Sequence, residues 1–341
     1  MADEGGTKTA KVTIRTVAKD AGVSVAAVSK VLRNAYGVSD GLREKVTASI
    51  EKLGYRPSTA ARAMRGRTYS VGLLVVGIGN PFLPDLIDGI SAVLSEDGYQ
   101  TLIGVGRAQL SIESALIESM IDNKMDGLIL VGPRLAGSLL EDFARQIPMV
   151  VIGHHEATAD SFDTINSDDR LGAALAVKSV FDAGYSDLAM ISPPARFGTE
   201  FDVFRKREEG YEETMAELGH ADQVRIFRCR EGAEFVDADL SAFLDTPDRP
   251  EAVFCWSDLH AVPLLDLARS RGVKIPEELA IIGYDNSPVA ALSAIGLASI
   301  EQHPGALGRL AATTLLERIS GRKVSKHQML EPRVVMRSSL G

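Results

Sequence analysis

Lys30 lies one helical turn beyond Val25 and Ala26. An ammonium group there can donate to guanine O6 and N7, or stay a solvated helix charge, which is the reading the residue alone favours, while the two small apolar side chains can make only apolar contacts, for instance with thymine methyl groups. Farther along, residues able to hold a polar solute stand at the ends of short apolar runs. Asp285 closes the run 279–284, where a carboxylate accepts hydrogen bonds from sugar or purine groups; the other reading is a turn aspartate before Asn286. Trp256 and Ser257 follow the run 252–255, and Gln302 follows 297–300. The indole of Trp256 either stacks on the apolar face of a sugar or fills core beneath a helix that Asp258 is expected to cap. Arg207 is either a ligand-facing guanidinium or one charge in a solvated run with Arg205, Lys206, Glu208 and Glu209. Arg207, Ser257, Asp285 and Gln302 together suit a polyol or sugar best, with a purine or another polar metabolite as the second class.

Metal and cofactor chemistry fit poorly. His154, His155 and Glu156 are adjacent instead of standing at helical or strand-matched ligand spacing. Gly77-Ile78-Gly79 lacks the third glycine of a dinucleotide fingerprint and runs into Asn80-Pro81, and no Gly-Lys-Ser/Thr phosphate loop is present. Cys229 and Cys255 have neither the number for a disulfide framework nor zinc spacing, and read as buried thiols in a reducing compartment. An enzyme, a metal site and a cofactor are therefore not expected.

Two kinds of fold must position these residues. Ile14, Val17 and Ala18 repeat at helical spacing, Ala21-Gly22-Val23 makes a turn, and Ser24 offers a capping oxygen to a second helix through Leu32. Ser39 does the same for a third helix, whose apolar face Leu42, Val46, Ile50 and Leu53 ends at Gly54. Two short helices joined by a glycine turn form a helix-turn-helix, whose second helix enters the major groove with its first residues at base edges. Pro57 and Ser58 open a short Ala-rich helix through Met64, too short to be stable alone and expected to order on DNA. From Ser70, apolar runs at 71–76, 101–105, 127–131, 149–152, 188–191, 224–227, 252–255 and 279–282 alternate with helical stretches such as 84–94 and 171–181. That alternation means parallel sheets covered on both faces. About ten strands are too many for one comfortable sheet, so two lobes with a cleft are expected. Ligands then bind beyond the carboxyl ends of the strands.

Charge divides the chain in the same place. Residues 1–67 hold 13 Lys and Arg against 6 Asp and Glu, whereas the full 341 residues sum to −9. A basic head on an acidic body lets phosphates attract one and repel the other. The start, Met1-Ala2-Asp3-Glu4-Gly5-Gly6, is unlike a signal peptide, and no apolar run approaches the roughly 18 residues of a membrane span, so a cytoplasmic protein is expected. The expected segments are a disordered leader 1–11, a helix-turn-helix domain 12–57, a hinge helix and linker 58–69, and a two-lobed body 70–341. A solute-binding protein of periplasmic type would account for the body alone; the basic head argues against it.

The run Val12-Thr13-Ile14-Arg15-Thr16-Val17-Ala18-Lys19-Asp20-Ala21-Gly22-Val23-Ser24, followed by Val28-Ser29-Lys30-Val31-Leu32, strongly resembles the lactose/galactose repressor family. The likeness continues through Leu53-Gly54-Tyr55-Arg56-Pro57-Ser58 and Ala61-Arg62-Ala63-Met64-Arg65. In the body it covers Asn80-Pro81-Phe82, Asp126-Gly127, Arg207 with Gly210, Ile282-Gly283-Tyr284-Asp285-Asn286, and Arg337-Ser338. The resemblance implies an all-α head and an α/β body of two doubly wound parallel-sheet lobes, folded like periplasmic sugar-binding proteins. It implies a homodimeric repressor that reads a pseudo-palindromic operator and answers to a small-molecule effector, which shifts the lobes and alters hinge-helix order. It assigns DNA contacts to Thr13, Ser24, Val25, Ala26, Ala27, Ser29, Lys30, Asn34 and Tyr55, and to Arg62, Met64 and Arg65 in the hinge. Met64 stands where the family presents a wedging leucine, with packing against the body as its other reading. Ala27 stands where the family often has threonine, which removes one hydroxyl contact. Effector contacts fall on Phe82, whose other reading is a core-filling ring, on Arg207, Trp256, Ser257, Asp285 and Gln302, and on His154, which follows Gly153 where many relatives carry an acid. No leucine-heptad tail follows Arg337, favouring a dimer over a tetramer.

Overall fold

The computed structural model describes residues 12–32, 35–55, 66–194, 202–230 and 232–341, with no side chains described at 233–235. Asn34, Arg62, Met64, Arg65, the leader and the hinge helix lie outside the described residues. Thr13 and Thr16 each accept the other's backbone N–H, a capping box that satisfies two amides left over at the start of α1 (Ile14–Asp20). Ser24 Oγ accepts from Ala27 N at 3.1 Å and starts α2 (Val25–Leu32). Ser39 precedes α3 (Asp40–Leu53), but its side chain makes no capping bond, contrary to the sequence expectation; its backbone carbonyl alone accepts from the first turn. Gly54, at φ 61°, ends α3 in the left-handed conformation that glycine adopts without steric cost. Val17, Val28 and Val46, one from each helix, are fully buried and meet with Ala18, Val31 and Tyr55 in one small core.

The chain divides into two units, Met1–Thr68 and Tyr69–Gly341. The second runs β1 (Ser70–Val75), α4 (Leu83–Glu96), β2 (Gln100–Val105), α5 (Leu110–Asp122), β3 (Gly127–Val131), α6 (Gly137–Ala144), β4 (Met149–Ile152) and β5 (Asp163–Ser167). It continues with α7 (Asp169–Asp182), β6 (Leu188–Ser192), α8 (Val203–Glu217), β7 (Ile226–Arg228), α9 (Ala233–Leu244), β8 (Ala252–Cys255), α10 (Asp258–Ser270) and β9 (Ala280–Tyr284). Then follow β10 (Ala298–Glu301), α11 (Pro304–Ile319), β11 (His327–Leu330) and β12 (Arg333–Val335). The strands form two sheets of matching plan, β11-β5-β4-β3-β1-β2 and β12-β10-β9-β8-β6-β7. Only β12 pairs antiparallel among the described strands.

Every residue of β1 is buried because successive side chains serve opposite faces. Leu73 packs with Leu86, Ile90, Leu307 and Leu315 under α4 and α11, while Leu74 packs with Ile117, Leu128 and Leu140 under α5 and α6. The helices α4 and α11 touch backbone to backbone: a Cβ on Gly308 would lie 2.2 Å from the Leu86 carbonyl oxygen. In the second lobe Met190, Phe254, Ile282 and Tyr284 pack against Ala176, Val180, Tyr211 and Met215 of α7 and α8.

Among the described residues the chain passes between lobes at Asp168, at Gln302–His303 and at Glu331–Pro332. The chain reverses strand order at β1/β3 in one sheet and at β6/β8 in the other, and open sheets bind ligands at the carboxyl ends of such switch points.

Candidate functional site

On the head, Val25, Ala26 and Lys30 are exposed along α2, with Val25 at 42% of its surface. Ser24 and Thr13 are also exposed, though both hydroxyls already serve helix caps. Ala27 and Ser29 are half-buried. Tyr55 is 7% exposed and belongs to the head's buried cluster with Val17 and Val28.

In the body, helix α8 carries Arg207 and Glu208 inward together, at 3% and 1% exposed, so the solvated-run reading fails at these two positions. Arg205 remains half outside, and Lys206 pairs with Glu209 at 2.9 Å. Arg207 Nε donates to Asp169 Oδ1 at 2.7 Å and Nη1 donates to the Trp256 carbonyl. Its guanidinium carbon sits 3.6 Å from the centre of the Tyr284 ring. No acceptor among the described residues meets Nη2. Nη1 and Asp285 Oδ1 are 3.9 Å apart, too far for a hydrogen bond and about the span of one bridging hydroxyl.

Asp285 is 5% exposed. Ser257 Oγ donates to its Oδ2 at 2.7 Å and Gln302 Nε2 to its Oδ1 at 2.6 Å. Burial pushes this carboxyl up to about 7, against the pull of Arg207 and with the nearby Asp258 carboxyl adding to the rise. Burial alone would also lift Asp169, but Arg207 and His155 outweigh it and hold that carboxyl below its ordinary range. The site therefore contains one cation neutralised by Asp169 and a second carboxyl poised to gain or lose a proton near neutrality.

Other expected contacts fall differently. Ser257, not Asp258, is the N-cap of α10, accepting from Leu259 N; Asp258 accepts from Ser287 N and Ser299 Oγ instead. Trp256 is 8% exposed within the second lobe's core, and its indole N–H donates to His260 Nδ1 at 2.9 Å, so the core reading holds for its ring. His154 is fully buried beside Phe162, with Nε2 2.9 Å from Glu156 Oε2. It is the next residue, His155, that reaches the cluster: its Nε2 lies 2.7 Å from Asp169 Oδ2, joining the first lobe to the second. Phe82 is half-buried at the start of α4, beyond β1, with its N–H held by Asn80 Oδ1.

The residues missed from sequence are Asp169, His155, Tyr284 and Arg134. Arg134 follows β3 as Trp256 follows β8, and its guanidinium lies 5.8 Å from the ring of Phe204 and 4.0 Å from Asp202 across the cleft. Two consecutive aspartates before an apolar helical stretch were the available signal for Asp169. No group of three or more His, Cys, Asp or Glu among the described residues is placed to hold a metal ion.

Residues 13–58 match the family described as bacterial regulatory proteins, lacI family, and residues 177–340 match the periplasmic binding protein-like domain. The HTH-type transcriptional repressor CytR of Escherichia coli (strain K12) is 30% identical over 330 residues, covering 96% of each chain. The chain belongs to the lacI family. The HTH-type transcriptional repressor PurR of Salmonella newport (strain SL254) is 31% identical over 334 residues, again 96% of each chain. Among solved structures, the transcriptional regulator CelR-cellobiose complex superposes with a TM-score of 0.70 at 26% identity, covering 96% of this chain and 99% of that one. Like these lacI-family relatives, the protein is a DNA-binding transcriptional regulator, with a helix-turn-helix head and a two-lobed periplasmic-binding-like body.

Proposed function

We propose that this regulator is a homodimeric repressor controlled by an uncharged, hydroxyl-rich small molecule, a sugar in the first instance, bound between Arg207 and Asp285. The observation that carries the reading is the 3.9 Å gap between those two groups. A ligand hydroxyl placed there accepts from the guanidinium and donates to the carboxylate at once, while Asp169 has already balanced the positive charge. A phosphate or carboxylate ligand would bring negative charge to a buried site that holds two acids of its own. The cellobiose in the CelR complex belongs to the hydroxyl-rich class. On the DNA side, Lys30 reads a guanine, Val25 and Ala26 touch methyl groups, and the head, hinge and body divide near residues 57 and 69. Cytoplasmic location and absence of catalysis follow from the same reading; no described helix is long and apolar enough to cross a membrane.

The test is selection of binding sites from a random DNA pool, followed by operator affinity measured with neutral sugars, nucleosides and their phosphorylated forms. A neutral sugar or nucleoside is expected to change affinity at least tenfold, and the selected site to be an inverted repeat occupied by two chains. Response to the phosphorylated forms alone, or to no compound, refutes the effector assignment; a single half-site refutes the dimer.

A further inference from the structure

Asp285 and Asn286 adopt φ values of 105° and 47°, a backbone region that side chains other than glycine rarely occupy. The amides that follow this bend are both collected by one buried carboxylate. Ser287 N donates to Asp258 Oδ2 at 2.7 Å. Asn286 N donates to Ser299 Oγ at 2.9 Å, and that hydroxyl donates onward to Asp258 Oδ1 at 2.8 Å. Asp258 is the first residue of α10 and 1% exposed. Gly283, just before the bend, leaves the space: a Cβ there would lie 2.2 Å from Asp258 Oδ1. Burial raises the Asp258 carboxyl, while the Ser287 amide and the Ser299 hydroxyl pull it back toward the ionised form.

We propose that Asp258 is a positioning residue of the effector site: by gathering the amides of 286 and 287 it fixes the left-handed bend that aims the Asp285 carboxylate toward Arg207. The role explains why an acid is kept beneath the site when the capping of α10 is done by Ser257. It rests on the reading of Arg207 and Asp285 as the effector pair, yet its test needs no effector.

Amide hydrogen exchange on the full chain, resolved to single residues, compares the wild type with Asp258→Ala, Asp258→Asn and Ser299→Ala. Asp258→Ala is expected to speed exchange of the 287 amide at least tenfold, and of the 286 amide to a smaller extent because Ser299 Oγ remains as its acceptor, while β9 keeps its wild-type rates. Asp258→Asn retains an oxygen for Ser287 N and is expected to restore protection there. Ser299→Ala is expected to release the 286 amide alone. Wild-type rates at both amides in Asp258→Ala, equal acceleration across the whole lobe, or no recovery in Asp258→Asn overturns the proposal. Should Asp258→Ala fail to fold, Ser299→Ala decides: selective release of 286 supports the role and unchanged exchange overturns it. If no compound alters operator affinity, the effector reading falls while this exchange pattern still reports on Asp258.

Discussion

Asp285→Asn should make the body more stable above neutral pH while weakening its grip on the effector. Burial lifts the Asp285 carboxyl to about 7, roughly three units above its value in an unfolded chain. A raised acid means the folded state holds the proton more tightly. Wild-type stability therefore falls as pH rises from about 4 to about 7, and the full penalty is present above 7. Three units correspond to a penalty on the order of 4 kcal/mol. Asparagine never ionises, so it avoids that penalty, and it tolerates the φ of 105° better than most side chains. Against this, its single oxygen cannot serve both Ser257 Oγ and Gln302 Nε2 as the carboxylate does, which costs about 1 kcal/mol. The variant should thus be about 2 to 3 kcal/mol more stable than wild type at pH 8, and equal or slightly less stable at pH 4.5. Urea unfolding at the two pH values measures the difference, in which the other titrating groups largely cancel. Loss of a charge-assisted bond should at the same time weaken effector binding by about ten- to a hundredfold. A variant less stable than wild type at pH 8, or a stability difference that does not change sign or grow with pH, would refute the account of a buried acid kept for function at the expense of stability.

Three further outcomes follow from other parts of the molecule. Lys30→Ala should relax base choice at one operator position by about 1 to 3 kcal/mol, read by site selection; an unchanged preference everywhere removes Lys30 from the reading set. Gly172→Ala would place a Cβ 2.1 Å from the Tyr284 hydroxyl, which is fully buried and cannot swing away, so a loss of about 1 to 3 kcal/mol in urea unfolding is expected, and an unshifted midpoint argues against the packing described. Asp163 is buried between Arg318 and Arg322, and although burial opposes it those two cations hold its carboxyl below the ordinary range. Its contribution is therefore present above about pH 4 and lost as pH falls through the depressed value, whereas Asp163→Asn should lack that acid-sensitive component in unfolding curves.

The head was readable because its signals are local. The Ser24 cap, the helical spacing of Val17 and Val46 and the closing Gly54 all act within a few residues of the elements they define, whereas the Thr13–Thr16 capping box went unread and Ser39 makes no side-chain cap. In the body, β3, β4 and β8 coincide with apolar runs, since strands covered on both faces have no polar side to show. β5 did not stand out, because Asp-Thr-Ile-Asn-Ser is polar although every residue is buried: Asp163 meets two arginines, Thr164 meets His327, and Asn166 ties down the backbone of residues 153 and 154. Those partners are up to 163 residues away in the chain, and no local pattern encodes them. Missing β5 hid Asp169, which starts the helix after it. The same distance effect decides the charge run 205–209, where Arg207 is held inside by Asp169 and the Trp256 carbonyl, and Glu208 by Ser192 and Arg228.

The proposed effector pair also lies beside the passages between the lobes. Asp169, which neutralises Arg207, stands at the first passage between lobes and is gripped from the other lobe by His155. Gln302, which donates to Asp285, lies in the second passage. The neighbouring Asn286 donates to Glu301 at the edge of that passage and accepts from Arg337 beyond the third. A hydroxyl entering between Arg207 and Asp285 draws on the same donors and acceptors that hold these connections. On the proposed reading, that shared network is what would make effector binding differ between lobe arrangements, which is the condition for a ligand to shift an equilibrium at all.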